Sequence, residues 1–150
     1  MTIEEIIKSS VPMSPTKRVI LNIGYTQTRL GESIQAVLKP FDISTEQFNV
    51  LRILRGQKGK PANMSLIQER MLAKTSNTTR LVDKLLAKEL VTRKICPSNR
   101  RKMEIEITKK GLDLLLKIDP VIDNHETLYG RKMTAEELNT LSLLLDKFRD

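Results

Sequence analysis

Apolar residues between positions 81 and 86 recur at the three- and four-residue spacing that places side chains on one face of an α-helix: Leu81, Val82, Leu85 and Leu86. The residues just before them, from Thr75 to Thr79, are small and polar. Thr75 or Ser76 can cap the free N–H groups of the first turn. The pattern predicts a helix with a polar, accessible N-terminal end and an anchored C-terminal end.

Two short alternating segments follow this helix. In residues 91–95 and again in residues 103–107, side chains alternate in the way that half-buried strands require. The connecting segment, Cys96–Lys102, combines turn formers with three basic residues at or beside the hairpin tip, Arg100, Arg101 and Lys102. A polar-ended helix followed by a basic-tipped hairpin is typical of a winged helix.

The segment upstream supplies the other helices of that unit. Ser44 and Gln47 fit a capping box at the start of a helix that ends near Gly56. A polar linker comes next, and then a short helix over residues 65–71. Residues 65–90 are therefore predicted to form a helix, a tight turn and a second helix.

Amphipathic helices are also predicted before this unit. Residues 2–10 form a short helix, and residues 16–39 form a long one whose apolar stripe ends at Pro40. Gly24 and Gly31 lie seven positions apart on the long helix, which would let another element pack closely there.

Two more helices are predicted after the hairpin. Thr108 can cap the first, which runs to Ile122 or beyond and which Pro120 is expected to kink or split. Thr134 and Glu137 fit a second capping box, before a final helix that is apolar along one face.

The long apolar stripes near both ends of the chain need a surface to cover them. Packing both against a second copy of the chain is the economical solution, and folding back onto the same chain is the alternative. Two-fold symmetry also suits paired DNA half-sites. The predicted fold class is mainly α with a small β wing: a winged helix-turn-helix in residues 41–107 and a dimerisation region in residues 1–40 and 108–150.

The distribution of charge points to a partner. The 150 residues include 26 Lys and Arg against 18 Asp and Glu, a net charge of +8. Residues 74–110 hold eleven of the basic and four of the acidic residues, a net +7, while the rest of the chain carries only +1. This concentration on the predicted winged helix indicates a surface for phosphates; a general basic surface is the alternative.

Several function classes lack their usual features. The acidic N-terminus does not resemble a signal peptide, no apolar run approaches the ~20 residues that span a bilayer, and a single cysteine cannot form an internal disulfide. We therefore expect a cytoplasmic, soluble protein. His125 has no metal-ligand cluster near it and there is no glycine-rich phosphate loop, so we expect neither an enzyme nor a metal or cofactor site.

Two other functions stay open on these residues. An RNA-binding module would stack bases on aromatic side chains, but the basic segment contains none. A winged helix that serves only as a protein-interaction module would show no salt-dependent binding to duplex DNA.

Three segments, in this order and spacing, resemble the MarR family of bacterial winged-helix transcription regulators: STEQFNVLRIL, SLIQERMLAKTSNTTRLVDKLLAKELVTR and SNRRKMEIEITKKG. The second is similar to the family's recognition helix, and the third to its wing, with an arginine pair and a closing Thr-x-x-Gly. The resemblance implies an obligate dimer with interleaved terminal helices. Each recognition helix would enter a major groove and each wing would lie along a minor groove.

The resemblance also implies roles for individual residues. The recognition helix would contact DNA through Ser76, Asn77, Thr78, Thr79, Arg80 and Lys84, and the wing through Arg100, Arg101 and Lys102. Asp83 would pair with Arg101 and orient the wing. Asn77 is suited to a bidentate contact with adenine, and Arg80 to guanine or a phosphate.

Two positions depart from the family pattern. Asn99 stands where the family usually has Asp before the arginine pair, which weakens any charge-assisted clamp within the wing. Glu89 stands where the family usually has Gly, the residue that best tolerates a left-handed helix end.

Two features of the chain bear on regulation. Cys96 lies beside basic residues that favour a reactive thiolate, although cysteine is also an ordinary strand residue. Family members often hold effectors such as phenolic compounds between the dimer helices and the winged helix. The residues expected to line such a pocket are Tyr25, Gln27, Met71 and His125. The expected function is a dimeric repressor that binds a pseudo-palindromic operator and is released by a small-molecule effector.

Overall fold

The computed structural model describes residues 1–72 and 77–150 of the chain. Within those residues the secondary structure consists of helices and one antiparallel hairpin, with a 3₁₀ turn at Lys39–Phe41. In chain order the elements are α1 (Ile3–Ile6), α2 (Pro15–Leu38), α3 (Thr45–Gly56), α4 (Met64–Arg70), α5 (Thr78–Ala87), β1 (Val91–Cys96), β2 (Asn99–Ile107), α6 (Lys109–Gly130) and α7 (Ala135–Arg149). The predicted mainly α fold with a small β wing is confirmed.

Local hydrogen bonding explains why several helix starts agree with the prediction. Both predicted capping boxes are present, at Ser44 with Gln47 and at Thr134 with Glu137. Thr108 caps α6 by accepting a hydrogen bond from the Gly111 N–H at 3.1 Å. Each cap satisfies donors that a helix leaves unpaired at its first turn.

A single hydrophobic core joins the helix-turn-helix to the start of α6. Its fully buried side chains come from the end of α2 and from α3, α4, α5, β2 and α6, and include Leu38, Leu51, Leu85, Ile105 and Leu115. Burial of apolar surface of this kind is the main stabilising term in folding. The core therefore packs α5 and the base of the hairpin against α6.

The linker before α4 contributes one residue to the sheet, which the sequence did not predict. Ala62 and Ile105 exchange two backbone hydrogen bonds, of 2.9 and 2.8 Å. Both residues are buried. The base of the wing is thereby fastened to the chain segment that leads into the helix-turn-helix.

The C-terminal end of α5 turns sharply at Glu89, which has a left-handed backbone with φ of 60°. The Glu89 N–H donates to the Leu86 carbonyl and the Leu90 N–H to the Leu85 carbonyl, the two bonds of a Schellman motif. The chain thus keeps the turn for which the family pattern usually uses glycine. A side chain at such a position costs roughly 1–2 kcal/mol.

The closing Thr-x-x-Gly segment packs directly against this turn. The Thr108 N–H donates to the Leu90 carbonyl, and the Thr108 hydroxyl donates to the Glu89 carbonyl. A Cβ atom at Gly111 would lie only 2.4 Å from the Leu90 carbonyl oxygen. Glycine is therefore needed at position 111 because α6 approaches the end of α5 so closely.

Helix α6 passes through Pro120 without a break, so the helix is not split there. Pro120 lacks the N–H that would bond one turn back. Leu115, Ile118 and Ile122, on both sides of the proline, are buried in the core. Their burial keeps the two halves of the helix in one element.

Helices α2 and α7 expose much of their apolar surface. α7 has no buried residue, and six of its apolar side chains are 38–69% exposed: Leu138, Leu141, Leu143, Leu144, Leu145 and Phe148. α2 likewise exposes Val19, Ile20 and Ile23. Neither Gly24 nor Gly31 has a described atom within 4 Å of a built Cβ, so close packing at these glycines does not occur within the described part of the chain.

Glu89→Gly should make the protein about 0.5–1 kcal/mol more stable than Glu89→Ala, because glycine relieves the left-handed backbone at some cost in chain entropy. Both variants remove the exposed ion pair between Glu89 and Lys110, so alanine is the matched control. Urea unfolding of the two variants measures the difference. A glycine variant less stable than the alanine variant would contradict the strain at this turn.

Candidate nucleic-acid interface and adjoining cavity

Four of the nine residues predicted to contact DNA lie at the N-cap and in the first turn of α5. Asn77 is the N-cap, and its side chain makes no capping hydrogen bond within the described residues. Ser76 lies outside the described residues, as does Thr75, the other predicted cap. The exposed side chains form one polar and basic surface, which we name the recognition surface: Asn77, Thr79, Arg80 and Lys84.

Thr78 does not belong to that surface, which corrects its predicted role. The residue is only 7% exposed, and its hydroxyl has no hydrogen-bond partner among the described residues. Thr78, Val82 and Leu85 are spaced by four and three positions, so they share the inner face of α5. The side chain of Thr78 therefore points toward the core while Thr79 points to solvent.

The three basic residues of the wing lie in an irregular part of the hairpin. Ile95 is opposite Met103, but the next residue, Cys96, is opposite Asn99. Between these two pairs, β2 contains three residues without a partner in the described register of β1, and all three are exposed: Arg100, Arg101 and Lys102. Such a bulge turns side chains away from the regular strand. The Asn99 side chain accepts a hydrogen bond from the Arg101 N–H at 3.0 Å, so asparagine still organises the wing locally.

Asp83 pairs with Arg93 and not with Arg101, which corrects the predicted partner. The Asp83 Oδ1 and Arg93 Nη1 atoms are 2.8 Å apart. Arg93 lies on β1 between Val91 and Ile95 in the alternating pattern, on the face of the hairpin that is directed at α5. Alternation along β1 places Arg93 on this face, but the sequence alone does not show that Asp83 lies opposite it.

The ion pair between Asp83 and Arg93 links the recognition helix to the first strand of the wing. The two side chains are 53% and 36% exposed, so water screens the attraction considerably. Its contribution is mainly geometric, because it holds the hairpin and α5 in one orientation.

A cavity of about 780 Å³ lies between α2, the start of α3, the C-terminal end of α6 and the first half of α7. Gln27, Met71 and His125 are among its lining residues, and their role in binding an effector stays a prediction. Tyr25 does not line it, because residues two apart on a helix are about 200° apart around its axis. Sequence reasoning did not identify the other lining residues, which include Leu72 and Tyr129.

His125 and Tyr129 are two polar residues of α6 in the wall of the cavity. The His125 Nε2 and Ser33 Oγ atoms are 2.7 Å apart, which joins α6 to α2. The rings of His125 and Tyr129 have centroids 5.0 Å apart, and the Tyr129 hydroxyl donates to the Arg29 carbonyl. The His125 Nδ1 atom is buried and has no hydrogen-bond partner among the described residues. A solvent-inaccessible polar atom of this kind can gain a partner only if the surrounding side chains move.

Met71 and Leu72 connect the cavity to the recognition surface along the chain. Met71 is 4% exposed and Leu72 is 91% exposed, and both line the cavity. They directly follow α4, and Leu72 precedes the start of α5 at Thr78 by six positions. Met71 and Leu72 therefore line the cavity and lie only a few residues before the recognition surface along the chain.

Known proteins are similar to this chain in sequence and in fold. The profile of the MarR family matches residues 43–103. A solved MarR transcription factor from Planctomyces limnophilus is 31% identical, with 91% of this chain and 98% of that chain covered and a TM-score of 0.68. This chain belongs to the MarR family of transcription regulators.

Two other relatives bear on this MarR-family protein. The HTH-type transcriptional regulator MhqR of Bacillus subtilis (strain 168) is 36% identical over 78 residues, so this chain spans about half the length of that curated relative (52%). A mutant MarR from E. coli, solved in complex with operator DNA, is 23% identical, with 97% of this chain and 96% of that chain covered and a TM-score of 0.77. The second likeness shows the fold alone.

The described part of this MarR-family chain has neither a membrane-spanning helix nor a cluster of metal ligands. Within residues 1–72 and 77–150, every helix is either too short or too polar to span a bilayer. In the same residues, no group of three or more His, Cys, Asp or Glu side chains is arranged to hold a metal ion. Cys96 is half-buried, and its Sγ atom lies 3.2 Å from the Ser98 Oγ atom.

A double-mutant cycle should detect the ion pair between Asp83 and Arg93. The coupling between Asp83→Asn and Arg93→Gln should be about 0.5 kcal/mol and should fall as salt is added, because the pair is partly exposed. Free energies of unfolding from urea titration supply the four values. The matched cycle pairs Asp83→Asn with Arg101→Gln and should show no coupling. Coupling in that second cycle alone would restore Arg101 as the partner.

Proposed function

We propose that this MarR-family regulator is a homodimer that binds a pseudo-palindromic operator in duplex DNA, represses transcription there, and is released when a small molecule occupies the cavity. The observation that carries the proposal is that one winged helix-turn-helix exposes both the recognition surface on α5 and the basic bulge of the wing. Both lie in the segment that holds nearly all of the net positive charge.

The recognition surface has the chemistry that base and phosphate contacts require. Asn77 can accept and donate to adenine in a bidentate contact, and Arg80 can bind guanine or a phosphate. Thr79 can contact a thymine methyl group or donate to a phosphate. The fold is shared with the E. coli MarR mutant that was solved with operator DNA, which supports duplex DNA as the partner.

The wing supplies the electrostatic part of the proposed interface. Arg100, Arg101 and Lys102 project from the bulge into solvent. Arginine side chains are attracted to the strong negative potential of a narrow minor groove. The ion pair between Asp83 and Arg93 would keep the wing at a fixed angle to α5, so that both reach one half-site together.

The amount of exposed surface supports a dimer. The chain exposes 11133 Å². A compact monomer of 17.2 kDa should expose only roughly 7,800 Å², about 3,300 Å² less. The apolar faces of α2 and α7 contribute to this excess, and α7 buries no residue of its own. A second copy would cover these faces by an isologous interface, and two-fold symmetry would present two recognition surfaces.

The cavity supports release by an effector. It adjoins Met71 and Leu72, so a ligand there would contact the segment that leads into α5. A ligand would bond the buried Nδ1 atom of His125 only after the surrounding side chains move to expose it. The ligand would release DNA only if it binds the DNA-incompetent dimer more tightly than the competent one.

Selection of binding sites from a randomised duplex library tests the proposal, because no operator sequence has to be chosen beforehand. We expect enrichment of a pseudo-palindrome whose half-sites lie about one helical turn apart. If the dimer neutralises six to ten phosphates, its affinity should fall about 10³- to 10⁵-fold between ~50 and ~200 mM salt. Preference for single-stranded RNA over the selected duplex, or no nucleic-acid binding at low salt, would contradict it.

Two adjacent threonines provide a matched test of the recognition surface. Thr79→Val should weaken binding to the selected operator by roughly tenfold, because it removes an exposed hydroxyl that can bond DNA. Thr78→Val should change the affinity by less than about twofold, because that side chain points into the core. Fluorescence anisotropy measures both. Equal losses of operator affinity for the two variants would contradict the orientation of α5 that buries Thr78 and exposes Thr79.

The wing predicts a change in salt dependence. Arg101→Ala should weaken binding to all duplex sequences and lower the slope of log affinity against log salt by about two, one phosphate contact in each half of the dimer. Arg101→Lys keeps the charge and should keep the slope. Titrations at several salt concentrations supply both values. An unchanged slope for Arg101→Ala would exclude Arg101 from the interface.

A further inference from the structure

A bidentate ion pair joins α3 of the winged helix-turn-helix to α6. The Arg55 Nη1 atom lies 2.6 Å from the Asp119 Oδ2 atom, and the Arg55 Nη2 atom lies 3.1 Å from Asp119 Oδ1. Arg55 is in the last turn of α3, and Asp119 is 64 residues away in the middle of α6. Both side chains are only 35% exposed.

The geometry of this pair restricts orientation as well as distance. Two parallel hydrogen bonds between a guanidinium and a carboxylate fix the relative direction of the two planar groups. The carboxylate is one residue before Pro120, within the part of α6 that passes through the core. The pair therefore opposes rotation of α3 about its contact with α6.

The pair and the cavity lie at opposite ends of the contact between these helices. Asn49 and His125 line the cavity. Each is six residues from the ion pair, Asn49 from Arg55 on α3 and His125 from Asp119 on α6, a separation of about 9 Å along each helix. The helix-turn-helix is thus fastened to α6 at one end of α3 and faces an open space at the other.

We propose that Arg55 and Asp119 are positioning residues that set the angle between the helix-turn-helix and α6, and thereby the spacing of operator half-sites that the dimer accepts. The inference rests on the proposed function, because it requires a dimer formed through the helices that include α6. If α6 is fixed in the dimer, a rotation of α3 on α6 moves the two recognition surfaces apart or together.

Half-site spacing is sensitive to such a rotation. One added base pair moves a half-site by about 3.4 Å along the duplex and turns it by roughly 35° around the axis. A dimer with the ion pair between Arg55 and Asp119 intact should bind operators of one half-site spacing and bind the neighbouring spacings more weakly. When the ion pair is weakened, rotation of α3 on α6 should let the dimer bind several spacings.

The test uses the full-length protein and a series of duplexes in which the selected half-sites are separated by the preferred spacing or by one or two base pairs more or fewer. The variants are Asp119→Asn, Arg55→Lys, and the double charge swap of Arg55→Asp with Asp119→Arg. Asp113→Asn is the matched control, since it breaks an ion pair with Lys109 that lies wholly within α6, at 2.9 Å. Circular dichroism and sedimentation confirm that each variant is folded and dimeric.

We expect the wild type and Asp113→Asn to prefer one spacing by about tenfold or more over its neighbours. Asp119→Asn should reduce that preference to about threefold or less, with unaltered affinity for an isolated half-site. Arg55→Lys should fall between them, because lysine cannot make the two parallel bonds. The charge swap should recover part of the preference for one half-site spacing, because it restores an ion pair with the charges reversed. Two substitutions that only destabilised the protein would not recover it.

Two results would overturn the inference, and they are distinguishable. If folded, dimeric Asp119→Asn and Arg55→Lys keep the spacing preference of the wild type, the ion pair does not set the spacing and the proposed function stands. If the wild type itself shows no preference among spacings, the dimeric operator model fails and the inference fails with it.

Discussion

The packing of the inner face of α5 against the core is the constraint on which the rest of the site depends. Val82 and Leu85 are fully buried, and they fix the rotation of the helix about its own axis. That rotation buries Thr78 and exposes Thr79. At the other end, the left-handed turn at Glu89 fixes where the helix ends and where the hairpin begins. The recognition surface and the wing are therefore positioned by buried side chains and a backbone turn that lie outside the proposed DNA interface.

The winged helix-turn-helix packs more closely against α6 than against α2 and α7 near the start of α3. The core extends into α6 through Leu115, Ile118 and Ile122, and the ion pair between Arg55 and Asp119 adds one directional contact. Near the start of α3, a cavity separates the unit from α2 and α7. This space is open to solvent, and exposed side chains such as Leu72 and Leu138 line part of it, so few contacts hold the arrangement there. A regulator that must exist in two states needs such an element.

Locally encoded features could be predicted from the sequence. Helix starts at Ser44, Thr108 and Thr134 followed from capping residues, because those hydrogen bonds join residues three apart in the chain. The wing strands followed from alternation.

Partners that tertiary packing decides could not be predicted in this way. Asp83 meets Arg93 because of the position of the hairpin on α5, and Tyr25 misses the cavity because of the rotation of α2. The bidentate contact of Arg55 with Asp119 joins residues 64 positions apart, and no local pattern in the chain relates them.

Hydroxyl-radical footprinting on the selected operator, with the stoichiometry of the complex measured alongside, tests the central claim most directly. Two copies of the chain per duplex should protect two symmetric blocks whose centres lie about 10–10.5 base pairs apart, with minor-groove protection where the wings lie. One copy per duplex, or protection without two-fold symmetry, would contradict a dimer that reads paired half-sites.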